Sequence, residues 1–343
     1  MFRRSLVAAS FAMLAAPAGA QAQGQTQAQT KSQARVVTDM AGRKVTLPAK
    51  VERVVTLGSL PVVNSFVYAM GEGAAIVNGL ADFARPRWTF QTVFAPQLKQ
   101  MPAMQLPTRE PNVEAILLAK PDVVLTMHRE SVDLLASRGV AVVFLAWQKP
   151  QDVKACMTVL GEVFAKPERA AAYVRYFDDT IARVAAAVDG AARPTVLYMQ
   201  PDTLTQPRLI AEWWIPAAGG ASVTDDGRTA ESRRFTLEQV VLWDPDILIV
   251  TDPKDVAYVN RDAVLSKLKA VKAGRVHVVP VGAHTWSNRT SEQPLTVLWA
   301  AATFHPERML GIDLVAETSR FYREIFTHPL SEAQVAEILS GTM

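Results

Sequence analysis

A thirteen-residue pattern recurs in this chain. Positions 113–125 read VEAILLAKPDVVL and positions 237–249 read LEQVVLWDPDILI. The offset is constant, since 238 − 114 and 245 − 121 both equal 124. Each copy has apolar residues at helical spacing and one Glu, Glu114 or Glu238. A Pro-Asp stop follows (Pro121-Asp122, Pro245-Asp246), and then a short apolar run. Proline disfavours helix in the residue before it, and the run after it reads as a buried strand. Two copies of a helix–turn–strand unit imply two lobes built alike. A cleft between lobes is a favoured ligand site.

The start of the chain bears on where such a cleft would work. Arg3 and Arg4 precede a mostly apolar stretch, Leu6 to Ala16, and then small residues, Ala18-Gly19-Ala20. This is the pattern of a cleaved secretory signal over residues 1–20, and the run is too short to span a bilayer. No Cys lies near the cut, so lipid attachment is not expected there. Residues 21–34 are Gln-rich and read as a disordered spacer. The expected location is the periplasm.

Composition narrows the class. The net charge of +3 includes the arginines of the leader, and no Lys/Arg block points to nucleic acid. The single cysteine, Cys156, rules out an internal disulfide and reads as a small buried residue. The fold must stand on its core, which 49% hydrophobic content allows.

Strand and helix signals alternate. A hairpin is expected over 36–48, turning at Ala41-Gly42. Strands follow at 53–57, 76–80, 123–127 and 141–146, with a helix from Pro61 to Met70. Strands alternating with helices imply a parallel sheet. From Gln151 to Asp189 the pattern is helical. Its clearest piece runs from Pro167 to Asp189, with Tyr173, Phe177, Ile181 and Val184 at steps of three or four. Strands resume at 195–199, 246–251 and 276–281. The tail from Pro294 is mostly helical, with Ser331 and Gln334 spaced as a capping box. The expected layout is α/β: a first lobe over 35–148, connecting helices over 149–192 and a second lobe over 193–343, both Rossmann-like with mainly parallel sheets.

The leader, a DxxGRxV opening (Asp39, Gly42, Arg43, Val45), the two Glu-plus-Pro-Asp repeats and one long helix between lobes resemble the solute-binding proteins of ABC importers. They look most like the ferric-siderophore, haem and cobalamin branch, class III. The pair Gly219-Gly220 after a Trp-rich loop and the late His305-Pro306-Glu307 also fit. The resemblance implies two lobes joined by a rigid helix, a shallow cleft with little closure, and a monomer delivering solute to a permease dimer of the inner membrane. It also implies that one acidic residue on each lobe, here Glu114 and Glu238, docks onto permease arginines. On their own residues, the two Glu could equally be solvated helix positions.

In open parallel sheets, ligands sit outside the carboxyl ends of the strands. That rule selects the loops at Gly58-Ser59-Leu60, Asp82 to Trp88, Met127-His128-Arg129 and Trp147 in the first lobe. In the second lobe it selects Met199-Gln200, Trp213-Trp214, Asp252 and His284 to Arg289. These loops hold Trp88, Trp147, Trp213, Trp214 and Trp286, together with Arg85, Arg87, Arg129 and Arg289. Trp offers flat apolar area and a cation–π face, and Arg a fork for carboxylate or phenolate oxygens. The expected ligand is an iron chelate of siderophore type, held by these residues with Ser59, His128, Gln200 and His284. Arg129 and Arg289 are expected to clamp it from opposite lobes. Haem, cobalamin or a metal oxyanion such as molybdate remain open. Each Trp could equally fill a gap between loop and helix, and Arg85 and Arg87 could be solvated.

Direct metal ligation by the protein is not expected. Two histidines, His128 and His284, stand at suitable loops, with Asp252 the one further candidate, whereas a bare metal site needs three or four ligands. His277, His305 and His328 read as structural. No GxSxG, HExxH, CxxC or P-loop occurs, so neither enzyme nor bound cofactor is expected. A nitrogenase-like oxidoreductase is disfavoured by the single Cys.

Overall fold

The computed structural model describes residues 34–81, 84–85, 88–146, 149, 151–207, 209–228 and 231–342. The expected leader, nearly all of the spacer, Arg87 and Trp147 lie outside the described residues.

The chain opens on an antiparallel hairpin, β1 (Arg35–Thr38) against β2 (Lys44–Leu47). The opening motif is the clamp that holds it. Asp39 Oδ1 accepts from the amides of Ala41 (3.0 Å) and Arg43 (2.9 Å). Asp39 Oδ2 takes the Arg43 guanidinium at 2.7 Å and the Phe144 amide at 3.2 Å, while Arg43 also donates to the Val142 carbonyl at 2.7 Å. Burial disfavours the Asp39 carboxylate, but these bonds win and hold it below its usual range.

β3 (Val54–Leu57) runs into α1 (Leu60–Ala69), and a short α2 (Gln91–Phe94) follows. Next come α3 (Val113–Ala119), β4 (Val123–Thr126), α4 (Arg129–Ala136) and β5 (Val142–Phe144). The first sheet has the order β3-β4-β5, all parallel. The expected strand at 76–80 is not one. It makes only isolated parallel bridges, from Ile76 to Val54 and from Gly79 to Ala103. Beyond the Ile76 bridge the Asn78 side chain replaces the ladder, accepting from the Thr56 amide at 2.8 Å and donating to its carbonyl at 3.0 Å.

Two helices follow, α5 (Gln151–Val163) and α6 (Pro167–Val188). With 22 residues, α6 is about 33 Å long. At its start Arg169 bonds the Ala69 carbonyl at the end of α1. At its end Val188 lies under Gly219, whose Cβ would meet the Val188 side chain at 3.1 Å. It therefore runs from the first lobe to the second. Its buried stripe is Ala170, Tyr173, Phe177, Thr180 and Val184. Ile181, placed in the same stripe by spacing, is only half-buried.

The second lobe contains β6 (Thr195–Tyr198), β7 (Thr205–Gln206), α7 (Ala211–Ala217), β8 (Ala221–Ser222), β9 (Arg233–Arg234), α8 (Leu237–Trp243) and β10 (Ile247–Val250). It continues through α9 (Pro253–Arg261), α10 (Lys269–Lys272) and β11 (Val276–Val278). Its parallel sheet has the order β11-β10-β6-β8. Helices α11 (Gln293–Phe304), α12 (Leu314–Glu324) and α13 (Glu332–Ser340) close the chain. The capping box at Ser331 and Gln334 is formed.

The repeat has a structural reason. Asn112 caps α3 by accepting from the Ala115 amide, and Thr236 caps α8 by accepting from that of Gln239. Both helices end on a left-handed residue, Lys120 (φ 46°) and Asp244 (φ 34°). The Asp of each Pro-Asp pair then staples the start of the neighbouring strand. Asp122 Oδ2 accepts from the amides of Glu52 (2.7 Å) and Arg53 (2.8 Å), just before β3. Asp246 Oδ2 accepts from the Thr195 amide and hydroxyl, both at 2.7 Å, at the start of β6.

Candidate functional site

The carboxyl ends of β3, β4, β6 and β10 open onto one cleft of about 580 Å³. Its first-lobe wall includes Ser59, Trp88, Gln105, Arg109 and His128; Gln200, Thr251, His284 and Ser287 belong to the opposite wall. Two glycines shape it. Gly58 (φ +88°) allows the turn after β3, and a Cβ there would sit 2.9 Å from Met127 and 3.3 Å from the His128 ring. Gly282 has no room for a side chain, because a Cβ would stand 1.9 Å from the Tyr322 hydroxyl and 2.1 Å from Glu292.

The walls are fixed from behind. Gln105 accepts from the Gly58 amide at 2.7 Å and donates to its carbonyl at 3.2 Å. Across the cleft, the Trp88 ring stacks on the His284 imidazole with centroids 4.1 Å apart and 22° between planes. Tyr198 and Ser287 share a hydroxyl–hydroxyl bond of 2.8 Å. Beneath the cleft, the fully buried Glu292 accepts from the Tyr322 hydroxyl at 2.5 Å, the Ala283 amide at 2.8 Å and the His284 amide at 3.4 Å. Burial pushes its carboxyl up to about 7 despite those bonds. Gln91 donates to the Ala283 carbonyl at 2.6 Å, and Ser291 bonds Ser65 through its amide (3.2 Å) and hydroxyl (2.9 Å). Tyr173 on α6 donates to the Ser291 carbonyl at 2.8 Å. Buried bonds thus tie α1, α6 and the loop before α11 into one base for the cleft.

Of the residues expected from sequence, Ser59, Trp88, His128, Gln200 and His284 line the cleft. The others are placed elsewhere. Arg289 forms a two-pronged pair with Glu231 (2.9 and 2.8 Å) and lines a smaller hollow with Trp213. Arg129 begins α4 in solvent, with its guanidinium 5.4 Å above the Phe144 ring. Neither lines the cleft, so the expected clamp gives way. Trp214 and Trp286 are core residues, 1% and 0% exposed. Trp213 stacks on Phe177 of α6. Arg85 is exposed, bonds the Leu80 carbonyl and lines a separate hollow. Asp252 caps α9. His305 is buried, its Nε2 3.1 Å from the Gly219 carbonyl, so the Gly-Gly pair and the His-Pro-Glu motif are two sides of one contact. Cys156 is buried, and burial pushes its thiol up.

Sequence reasoning missed Arg109. Turn bonds from the Arg109 amide to Leu106 and from the Leu106 amide to Glu110, both 2.8 Å, project it into the cleft. Its φ of 72° is costly for a residue with a Cβ, and such strain gathers at functional sites. Among the described lining residues it carries the one permanent positive charge, and none is a carboxylate. Its described lining therefore offers one guanidinium, two imidazoles and many neutral hydroxyl and amide groups.

Glu114 and Glu238 are exposed on the first turns of α3 and α8. Among the described residues, no group of three His, Cys, Asp or Glu is placed to hold a metal ion, and no helix is long and apolar enough to cross a membrane.

The family model for periplasmic binding proteins matches residues 75–281, which carry most of this cleft. The chain belongs to that family. Among its relatives is the molybdate-binding protein MolA of Haemophilus influenzae, 22% identical over 325 residues, covering 85% of this chain and 91% of the relative. The solved structure of MolA bound to molybdate matches with a TM-score of 0.75 at 20% identity, over 87% of this chain and 99% of that one. A periplasmic solute-binding protein from Veillonella parvula matches with a TM-score of 0.79 at 24% identity, over 90% and 97%. CeuE of Helicobacter pylori, in a Ni-His complex, matches with a TM-score of 0.71 at 18% identity, over 90% and 99%. At these identities the solved structures establish the two-lobed α/β fold of class III binding proteins.

Proposed function

We propose that this binding protein captures a compact anion, a metal oxyanion of molybdate type, and hands it to an ABC permease. The carrying observation is the charge of the cleft lining: Arg109 and two imidazoles among neutral donors, with no carboxylate among the described residues. A tetraoxo anion needs several short donors converging on its oxygens. Ser59, Gln200, Thr251 and Ser287 supply hydroxyl and amide groups, and Arg109 supplies a charge-assisted fork. The binding of molybdate by MolA, a relative of the same family, points the same way.

A siderophore is the weaker candidate. The Trp and Arg census that suggested one is mostly drawn from side chains outside the cleft. A second reading is a small metal chelate completed by His128 and His284. The 580 Å³ volume supports it, since a bare oxyanion leaves much of that space to water. Titration calorimetry with sodium molybdate, ferric siderophores, haem and nickel–histidine separates these readings. Saturable one-to-one binding of molybdate alone supports the oxyanion. Tight binding of a chelate without molybdate binding transfers the assignment to the second reading.

Delivery is proposed to use Glu114 and Glu238, exposed at matching places on the two lobes. Two like lobes suit a partner with two like subunits. The solute leaves chemically unaltered, at one per chain, so product accumulating beyond one equivalent contradicts a pure carrier.

A further inference from the structure

Each repeat helix leaves a leucine in solvent at the same place. Leu118 on α3 and Leu242 on α8 are both 83% exposed, and 242 − 118 is again 124. Leu117 and Val241, the preceding pair, are 41% and 48% exposed. The helices are seated alike, each burying one residue, Ile116 or Val240. The core therefore makes no demand on the exposed leucines. Residues four apart share a helix face, so Glu114 lies beside Leu118 and Glu238 beside Leu242. A lone exposed leucine is ordinary. The same acidic–apolar couple at matched positions of two lobes is not.

We propose that Leu118 and Leu242 are apolar anchors for docking onto two equivalent permease subunits. Each leucine would enter an apolar pocket beside the basic group that receives the neighbouring Glu. This rests on the reading that the protein delivers solute to a permease. Charge and placement favour that occupant. The residues leading into both helices, Arg109 and Ser232, line the cleft. The helices run back into β4 and β10 through short turns, so their first turns sit at the carboxyl ends of those strands. Glu114 and Glu238 therefore flank the mouth from which solute must leave, with Leu118 and Leu242 one turn further along each helix, on its last turn. In such an interface the buried apolar anchors govern dissociation, and the rim charges govern encounter and register.

The test compares wild type, L118Q/L242Q and E114K/E238K for binding to inner-membrane vesicles of the source cell, with and without sodium molybdate. The leucine variant is expected to bind at least about tenfold more weakly through faster dissociation, with an unchanged melting temperature. The charge variant is expected to lose association rate and its salt dependence. If L118Q/L242Q binds like wild type while E114K/E238K does not, the anchor inference is overturned and the docking reading stands. If the leucine variant melts earlier, those residues are structural and the inference also falls. If wild type does not bind the vesicles, the delivery reading falls with it.

Discussion

The Trp88 indole lies nearly parallel to the His284 imidazole, ring centroids 4.1 Å apart, although 196 positions separate them (284 − 88). The stack bridges the two walls of the cleft and joins a first-lobe loop to a second-lobe loop. Trp88 is 8% exposed and lines the cleft, so its emission reports on the cleft rather than on bulk water. Solute binding should change the fluorescence of wild type and leave that of Trp88→Phe nearly constant. An unchanged response in Trp88→Phe would move the reporter, and with it the solute, away from this stack.

Arg109 and Arg289 should behave oppositely. Arg109 lines the cleft, whereas Arg289 is paired with Glu231. Arg109→Ala should weaken anion binding by about 1.5–3 kcal/mol, the usual range for hydrogen bonds to charged groups. Arg289→Ala should shift it by less than about 0.5 kcal/mol, as for substitutions outside such features. Titration calorimetry on both variants checks this, and the reverse order would restore Arg289 as a ligand contact.

Glu292 sets a pH dependence. Its folded value of about 7 lies above the usual 4.5. Between those values the unfolded chain has released a proton that the folded chain still holds, so stability falls as pH rises through this window and levels off above it. The loss is on the order of 3 kcal/mol, because each pH unit between the unfolded and folded values corresponds to about 1.36 kcal/mol. Melting curves from pH 5 to 8 should slope downward in wild type and flatten in Glu292→Gln. Parallel slopes would place the titration elsewhere.

The Pro-Asp staples should matter in both lobes. Asp246 is held below the usual carboxylate range; burial opposes this, but the Thr195 hydroxyl and amide and Lys269 outweigh it. A lowered value contributes stability above the unfolded pKa and loses it as pH falls through the folded one. Asp246→Ala and Asp122→Ala should each cost about 1–2 kcal/mol by denaturant melts near neutral pH, less for Asp246→Ala in acid. A silent pair would reduce the repeat to a record of duplication.

The repeat made much of the fold legible, because its Glu, Pro-Asp and apolar run map onto α3–β4 and α8–β10 with one offset. The opening motif and the last capping box were likewise local patterns whose partners lie within a few residues. The cleft was half legible. Strand-end loops located Ser59, His128, Gln200 and His284. Arg109 was hidden because its signal is a backbone angle rather than a residue pattern. Arg289 was misplaced because Glu231, which holds it, lies 58 positions away. Trp214 and Trp286 were misread because a tryptophan after a strand looks the same whether it faces a ligand or fills the core. Segment 76–80 misled because a side chain, Asn78, does the work of a strand's backbone.

Whether a cleft whose described lining holds one guanidinium and no carboxylate takes a small oxyanion is decided by calorimetric titration of the purified protein with sodium molybdate. One saturable site per chain is expected, weakened by Arg109→Ala and left intact by Arg289→Ala. No heat with molybdate, together with tight one-to-one binding of a ferric siderophore or haem, would refute the oxyanion assignment.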